Sequence, residues 1–335
     1  MRGARHNRRV GAVLRSILEA DRTGLVPRSG LRRTLGVTVV LLVGVALGHP
    51  TEAAVAGLGA LIVGLADIGG PRPSAVRLML IAMAAMGAAG FVGAQTADHD
   101  VPAIAVTAVW AFGGGLLARY GRPGAVVGLL STLALIVTQA HYLDPGSAAK
   151  HAALLMAGGA VEVVLLLVWR SERHPIPDLP LGFSLLRHAL RLGIALAAAT
   201  ATYRLLPFGA HGYWIVATAL FILRPGIRSG VESGVARYAG AAMAVVASTA
   251  LATWLQPGDY VIVGLAAVSA MACFSLYQYN FALFTAGVSA LLIFMAALAG
   301  LPPRRAALDF LIDTTFGAAI AIGSYVVVPE HRRAR

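Results

Sequence analysis

The sequence predicts an all-α polytopic membrane protein with about 12 transmembrane helices, arranged as two parallel six-helix repeats with both termini cytoplasmic. Three observations carry this expectation. The 335-residue chain is 58% hydrophobic and only 13% charged, with mean hydropathy +0.76, whereas a soluble domain carries about 25% charged residues. Apolar, helix-length runs fill the chain from Thr34 to Pro329, and the second half repeats the first at an offset of roughly 159 residues. The basic residues are also partitioned. With the N-terminus inside and the spans alternating, 23 of the 27 fall in inner segments, while Asp98, Asp100, Asp144 and Asp259 lie in outer ones. That bias follows the positive-inside rule.

Taken in order, residues 1–30 form a basic cytoplasmic segment. Val10, Val13, Leu14, Ile17 and Leu18 recur there at helical spacing, which suits an amphipathic helix on the membrane surface; the same composition also suits an unstructured tail. Residues 31–170 form the first repeat, with spans at 33–48, 52–68, 76–95, 102–118, 124–140 and 149–169. These runs are continuously apolar rather than alternating, so helices are favoured over a barrel. Residues 171–188 form a cytoplasmic linker, where Pro175, Pro177 and Pro180 stop any helix. Residues 189–329 form the second repeat, with spans at 189–206, 212–224, 236–255, 259–275, 280–299 and 306–328, and 330–335 form a cytoplasmic tail. Glycines such as Gly57, Gly59, Gly64, Gly158 and Gly159 lie within spans, where small residues let helix backbones approach closely.

The net charge of +12 lacks aromatic interleaving and reads as orientation signals and contacts to anionic lipid, not as a nucleic-acid surface. The single cysteine, Cys273, excludes an intrachain disulfide and reads as inert packing. No phosphate-binding Gly-Lys loop, nucleophile elbow or metal cluster is found. No enzymatic activity, cofactor or metal is therefore expected.

Residues 211–243 read HGYWIVATALFILRPGIRSGVESGVARYAGAAM. Tyr213, Trp214, Thr218, Pro225, Arg237 and Gly240 within this stretch resemble the signature of the fusaric acid resistance (FUSC) and aromatic acid exporter family. Two later stretches resemble the family's further motifs: Tyr277 to Thr285, and Asp313-Thr314 with Gly317 and Pro329. The first half is a weaker copy, with Asp67 and Arg77 in the matching places. The family often has Arg where this chain has Phe310, and Thr where it has Ala241. The resemblance implies a plasma-membrane transporter that exports small organic anions, aromatic carboxylic acids among them, with proton coupling. Related plant anion channels imply a passive channel as an alternative. A non-transporting membrane scaffold, bound to an accessory efflux subunit or a second copy, is a third reading.

Several residues are candidates for binding the anion. Arg77 and Arg237 open matching helices, and a guanidinium presents a planar fork to a carboxylate; both also fit snorkelling arginines at helix ends. Arg224 ends its span beside Pro225. Tyr213 and Trp214 stand at a span end, as a stacking surface or as part of the interfacial aromatic belt. The resemblance adds Thr218. Gln278, Tyr279 and Asn280 form a polar and aromatic turn that suits a gate or a helix start. For proton coupling the candidates are Glu162, Asp313 and Asp67. Glu162 interrupts an apolar run, and a carboxylate there belongs in the bundle interior or a wet cavity. Asp313 lies within a span near Arg304 and Arg305, and Asp67 caps the turn before Gly69-Gly70. His99, His141 and His151 read as solvated histidines of connectors.

Overall fold

The computed structural model describes residues 24–140, 147–169, 184–206, 208, 212–223, 230–301 and 303–328, without the side chains of 230–233, 253 and 303–308. The amphipathic segment at 10–18, the linker prolines, Arg224, His141 and the C-terminal tail lie outside those residues. Every regular element among the described residues is helical. The first half holds α1 (Pro27–Ala46), α2 (Pro50–Ala66), α3 (Arg72–Thr96), α4 (Asp100–Leu116), α5 (Gly121–Thr138) and α6 (Ala148–Val168). The second half holds α7 (Leu185–Leu205), α8 (Tyr213–Ile222), α9 (Gly230–Leu255), α10 (Asp259–Leu276), α11 (Phe281–Leu298) and α12 (Pro303–Val327). A 3-10 turn, Leu117–Tyr120, joins α4 to α5.

Local chemistry sets these ends. Proline occupies the first turn of α1, α2 and α3, where its missing N–H costs nothing. Gly48, at φ +78°, makes the tight reversal between α1 and α2 in a conformation that side chains disfavour. Asn280 caps α11 by accepting from the Leu283 N–H at 2.9 Å.

Among the described residues, eight helical segments are long and apolar enough to cross a membrane, one of them running from Asp100 to Thr138 through the 3-10 turn. Large apolar side chains such as Leu42, Val43, Leu80, Phe91, Val109 and Val246 point away from the bundle, as they do when lipid is the solvent. The protein is an all-helical, multi-pass membrane protein. The most completely buried helices are α8, the shortest, and α2. α8 has all ten residues buried, and α2 is buried along nearly its whole length.

The packing partners recur. In the first half, α3 lies against α5 and α6, and α2 against α1 and α6; in the second, α9 lies against α11 and α12, and α8 against α7 and α12. The halves also trade neighbours, with α4 on α7 and α10 on α1, and they meet where α2 faces α11 and α5 faces α8. Glycines set the closest crossings. A Cβ added at Gly158 would collide with the Ala56 carbonyl, and one at Gly317 with the Ile215 carbonyl; the second pair lies 159 residues beyond the first. The contacts of Gly128 with Gly114 and of Gly287 with Cys273 keep the same spacing.

α1 begins at Pro27, ahead of the expected span start at 33, and carries Arg32 and Arg33 into the bundle, where both are buried.

Gly158→Val and Gly317→Val should each destabilise the protein by about 1–3 kcal/mol through overpacking. Gly113→Ala, whose added methyl meets nothing within 4 Å, should be neutral. Thermal unfolding in detergent checks this; an unchanged midpoint for either valine variant would contradict the close crossings.

Candidate functional site

Four charged side chains meet where α1, α2 and α6 converge. Arg32 donates from Nη2 to Asp67 Oδ2 at 2.6 Å, and from Nη1 to Glu162 Oε2 and the Glu162 carbonyl, both at 3.3 Å. Arg33 donates from Nη2 to the Asp67 carbonyl at 2.8 Å and to Oδ2 at 3.4 Å. The side chains of Arg32, Asp67 and Glu162 have 0% exposure. Helical geometry explains the meeting. Arg32 and Arg33 lie early in α1, Asp67 ends α2, and Glu162 lies in the last third of α6. Asp67 also accepts from the Gly69 N–H at 3.2 Å; Gly69 and Gly70, at φ +82° and +104°, turn the chain where a side chain would be strained. Gly36 leaves room for the carboxylate, since a Cβ there would strike Glu162 Oε1. That oxygen is buried and has no hydrogen-bond partner among the described residues. Such a balanced group is costly to assemble and costlier to break.

Two recesses lie on the seam between the halves. At the end holding this cluster, which we call the basic end, a recess is lined by Arg33, Asp67, Arg122, Phe274, Tyr277 and Gln278, among others. At the far end a recess is lined by Thr51, Val55, Thr138, His151, Tyr213 and Trp214, together with α11 residues such as Met295. The far recess draws on α2 and α5 of one half and α8 and α11 of the other. Between the two, the middles of α2 and α8 are packed solid: Ala60, Leu61, Ile62, Ala217, Ala219 and Leu220 are all 0% exposed.

The sequence-based candidates distribute unevenly over this frame. Tyr213 and Trp214 are 1% and 3% exposed, so they are not a lipid-facing belt. Their rings lie 4.5 Å apart, and Trp214 meets the Phe310 ring edge-on at 4.8 Å. Thr218 is buried one turn deeper in α8, against Gly317 of α12. Arg237 is buried beneath aromatic rings, its guanidinium carbon 5.0 Å from the Phe221 centroid and 6.0 Å from that of Phe310. Arg77 is exposed on α3, so the expected Arg77–Arg237 pair does not share one environment. Gln278 lines the basic recess. Tyr279 is partly exposed in the same turn, and Asn280 is committed to capping α11. Asp313 is buried in α12, and its Oδ2 has no hydrogen-bond partner among the described residues; its expected partners, Arg304 and Arg305, lie outside the described side chains. His151 is buried and lines the far recess, which corrects its reading as a solvated connector histidine. Arg32, Arg33 and Arg122 were not singled out in the sequence. They stand among the other basic residues at span ends, and only the contact with Glu162 across 130 residues sets Arg32 apart.

Comparison with known proteins bears on the second half of the chain. Residues 194–323 match the family model described as fusaric acid resistance protein-like. The FUSC family resemblance is borne out there. An uncharacterized protein of Synechocystis sp. (strain PCC 6803) is 38% identical over 110 residues, covering 32% of this chain and 14% of that protein. An uncharacterized ORF2 protein of Neisseria gonorrhoeae is 30% identical over 155 residues, covering 46% of this chain and 36% of that protein. The chain thus spans well under half the length of these curated relatives. No solved structure matches it significantly. The FUSC-like stretch holds Tyr213, Trp214, Thr218, Arg237, Phe310 and Asp313, whereas the buried charge cluster lies wholly in the other half.

Asp67→Ala leaves Arg32 and Arg33 adjacent and under-neutralised in a dry site. It should cost about 3–5 kcal/mol, read as a lowered unfolding midpoint in detergent, while Arg122→Ala at the recess rim should change it little. Equal stability of Asp67→Ala and the parent protein would mean that the cluster is not dry.

Proposed function

We propose that the protein is a plasma-membrane transporter that exports small organic anions, aromatic carboxylates among them, along the seam between two parallel six-helix halves. The observation that carries this reading is the pair of recesses on one seam. The far one is apolar and aromatic, suited to an aryl ring. The basic one presents guanidinium groups, suited to a carboxylate. Tyr213 and Trp214 would stack on the ring, with Thr218 deeper along the path. Arg33, Arg122 and Gln278 would receive the anion at the basic end, and Arg237 would hold positive potential in between. The recurring helix pairs and the constant spacing of the glycine crossings support the two-repeat reading, with 31–170 and 189–329 as the units. The bias of basic residues supports placing both termini inside. The packed middles of α2 and α8 favour alternating access over a permanently open channel.

Glu162, Asp67 and Asp313 are the proposed proton-exchanging groups, because intramembrane carboxylates commonly mark proton relays. No catalytic step and no cofactor enters this reading. The partners are membrane lipid and the transported anion, with an accessory efflux subunit or a second copy as further candidates.

Flux of labelled benzoate from proteoliposomes tests the reading. The intact protein should release benzoate far faster than empty vesicles do. Trp214→Ala should slow release by up to about tenfold, the worth of one aromatic contact of about 1.4 kcal/mol. No flux above that of empty vesicles would sink the proposal, and large ohmic currents in a planar bilayer would favour a passive channel.

A further inference from the structure

The charge cluster and the basic recess share a wall. Arg33 lines the recess and also binds Asp67, which binds Arg32, which binds Glu162. The Phe274 ring, another wall of the recess, lies 5.9 Å from the Arg33 guanidinium carbon. Gly64 of α2 lies close to both that ring and the Glu162 carboxyl group; a Cβ there would lie 3.0 Å from one and 3.5 Å from the other. Among the described side chains of the cluster, two guanidiniums face two carboxylates, so Arg33 adds little surplus charge to that of Arg122 in the same recess.

The groups facing Glu162 can be stated helix by helix. From α1 they are Arg32 and Arg33, and from α2 Asp67. From α3 the nearest charge is Arg72, whose Nε donates to the Leu166 carbonyl at 3.1 Å one turn along α6. At the matching position of the second half, Arg191, 159 residues beyond Arg32, donates to the Val328 carbonyl at 2.7 Å and stacks on Tyr325, and the residue 159 beyond Glu162 is Ala321, so Glu162 has no acidic counterpart there.

We propose that Glu162 is a proton site whose occupancy switches on anion binding in the basic recess, so that proton and carboxylate bind together rather than in competition. This rests on the transport reading above and specifies its coupling. A proton taken by Glu162 at its unpartnered Oε1 removes one negative charge from the cluster. Arg32 keeps Asp67 as its remaining carboxylate partner, and Arg33 has to share it. The surplus positive charge then falls beside the recess, where a carboxylate restores neutrality. Linkage makes the effect reciprocal: a bound carboxylate favours proton uptake to the same degree. Anion and proton thus cross together as one neutral pair. Outward movement is then driven by accumulated anion and not by an inward proton gradient, the reverse of exchange-driven export.

Binding of labelled benzoate to the purified full-length protein in nanodiscs, between pH 5.5 and 8.0, tests this. Affinity of the parent protein should rise as pH falls, by up to about tenfold per unit for one linked proton. Calorimetry in two buffers of different ionisation enthalpy should show net proton uptake on binding. Glu162→Gln should bind as tightly at pH 8.0 as the parent does at pH 5.5, with no pH slope and no proton uptake. Asp67→Asn should also tighten binding at pH 8.0 but keep the slope, and Arg33→Gln should abolish binding. Parent affinity that is flat or falls on acidification would overturn the inference while leaving the transport reading intact. Absence of benzoate binding at every pH would overturn both. If Glu162→Gln does not fold, the proton uptake and pH slope of the parent protein decide the matter alone.

Discussion

The burial of Arg32 between Asp67 and Glu162 is the constraint around which the first half is arranged. A guanidinium with no exposure has to be matched by carboxylates, and both are supplied by other helices. Satisfying it brings the start of α1, the end of α2 and the last third of α6 to one point. Arg33, the next residue of α1, extends the same group to the seam and to Phe274 of α10. The cluster therefore clasps one half and touches the other. A charge network placed in lipid has no water to fall back on, so its geometry is stiff, and a change of one charge has to be answered nearby.

The second half solves a similar packing problem without that network. Its α8 is short and wholly buried, lined by Tyr213, Trp214 and Phe221, and Arg237 lies under aromatic rings. Phe310 packs between Trp214 and Arg237. The chain thus keeps a common helix scaffold and spends its polar residues differently in the two halves. The aromatic pair and Asp313 lie in the FUSC-like half, and the buried charge cluster lies in the other.

Much of the helix pattern was legible in the sequence. The expected spans each overlap a helix, because continuous apolar runs bounded by Gly, Pro and Arg leave few alternatives to a helix in lipid. The start of α1 was placed too late, because Arg28, Arg32 and Arg33 interrupt the apolar run; only a partner distant in sequence shows that Arg32 and Arg33 are buried. Glu162 was conspicuous for the opposite reason, as a lone carboxylate among valines and leucines. His151 was misjudged, and the two readings of Arg77 stayed open, because periodicity does not say which side of a helix faces the bundle. Tyr213 and Trp214 were seen as aromatic residues at a span end, but their burial depends on α12 crossing α8 at Gly317, a contact that no local pattern reveals.

The account depends most on the two recesses being opposite ends of one anion path. Single cysteines at Ala296 and Gln278, with buried Cys273 left in place, can be labelled with a membrane-impermeant thiol reagent in sealed vesicles of known orientation. The account predicts that Ala296→Cys reacts only from the outer face and Gln278→Cys only from the cytoplasmic face, with benzoate slowing both reactions. Labelling of both positions from the same face, or no protection by benzoate at either, would contradict it.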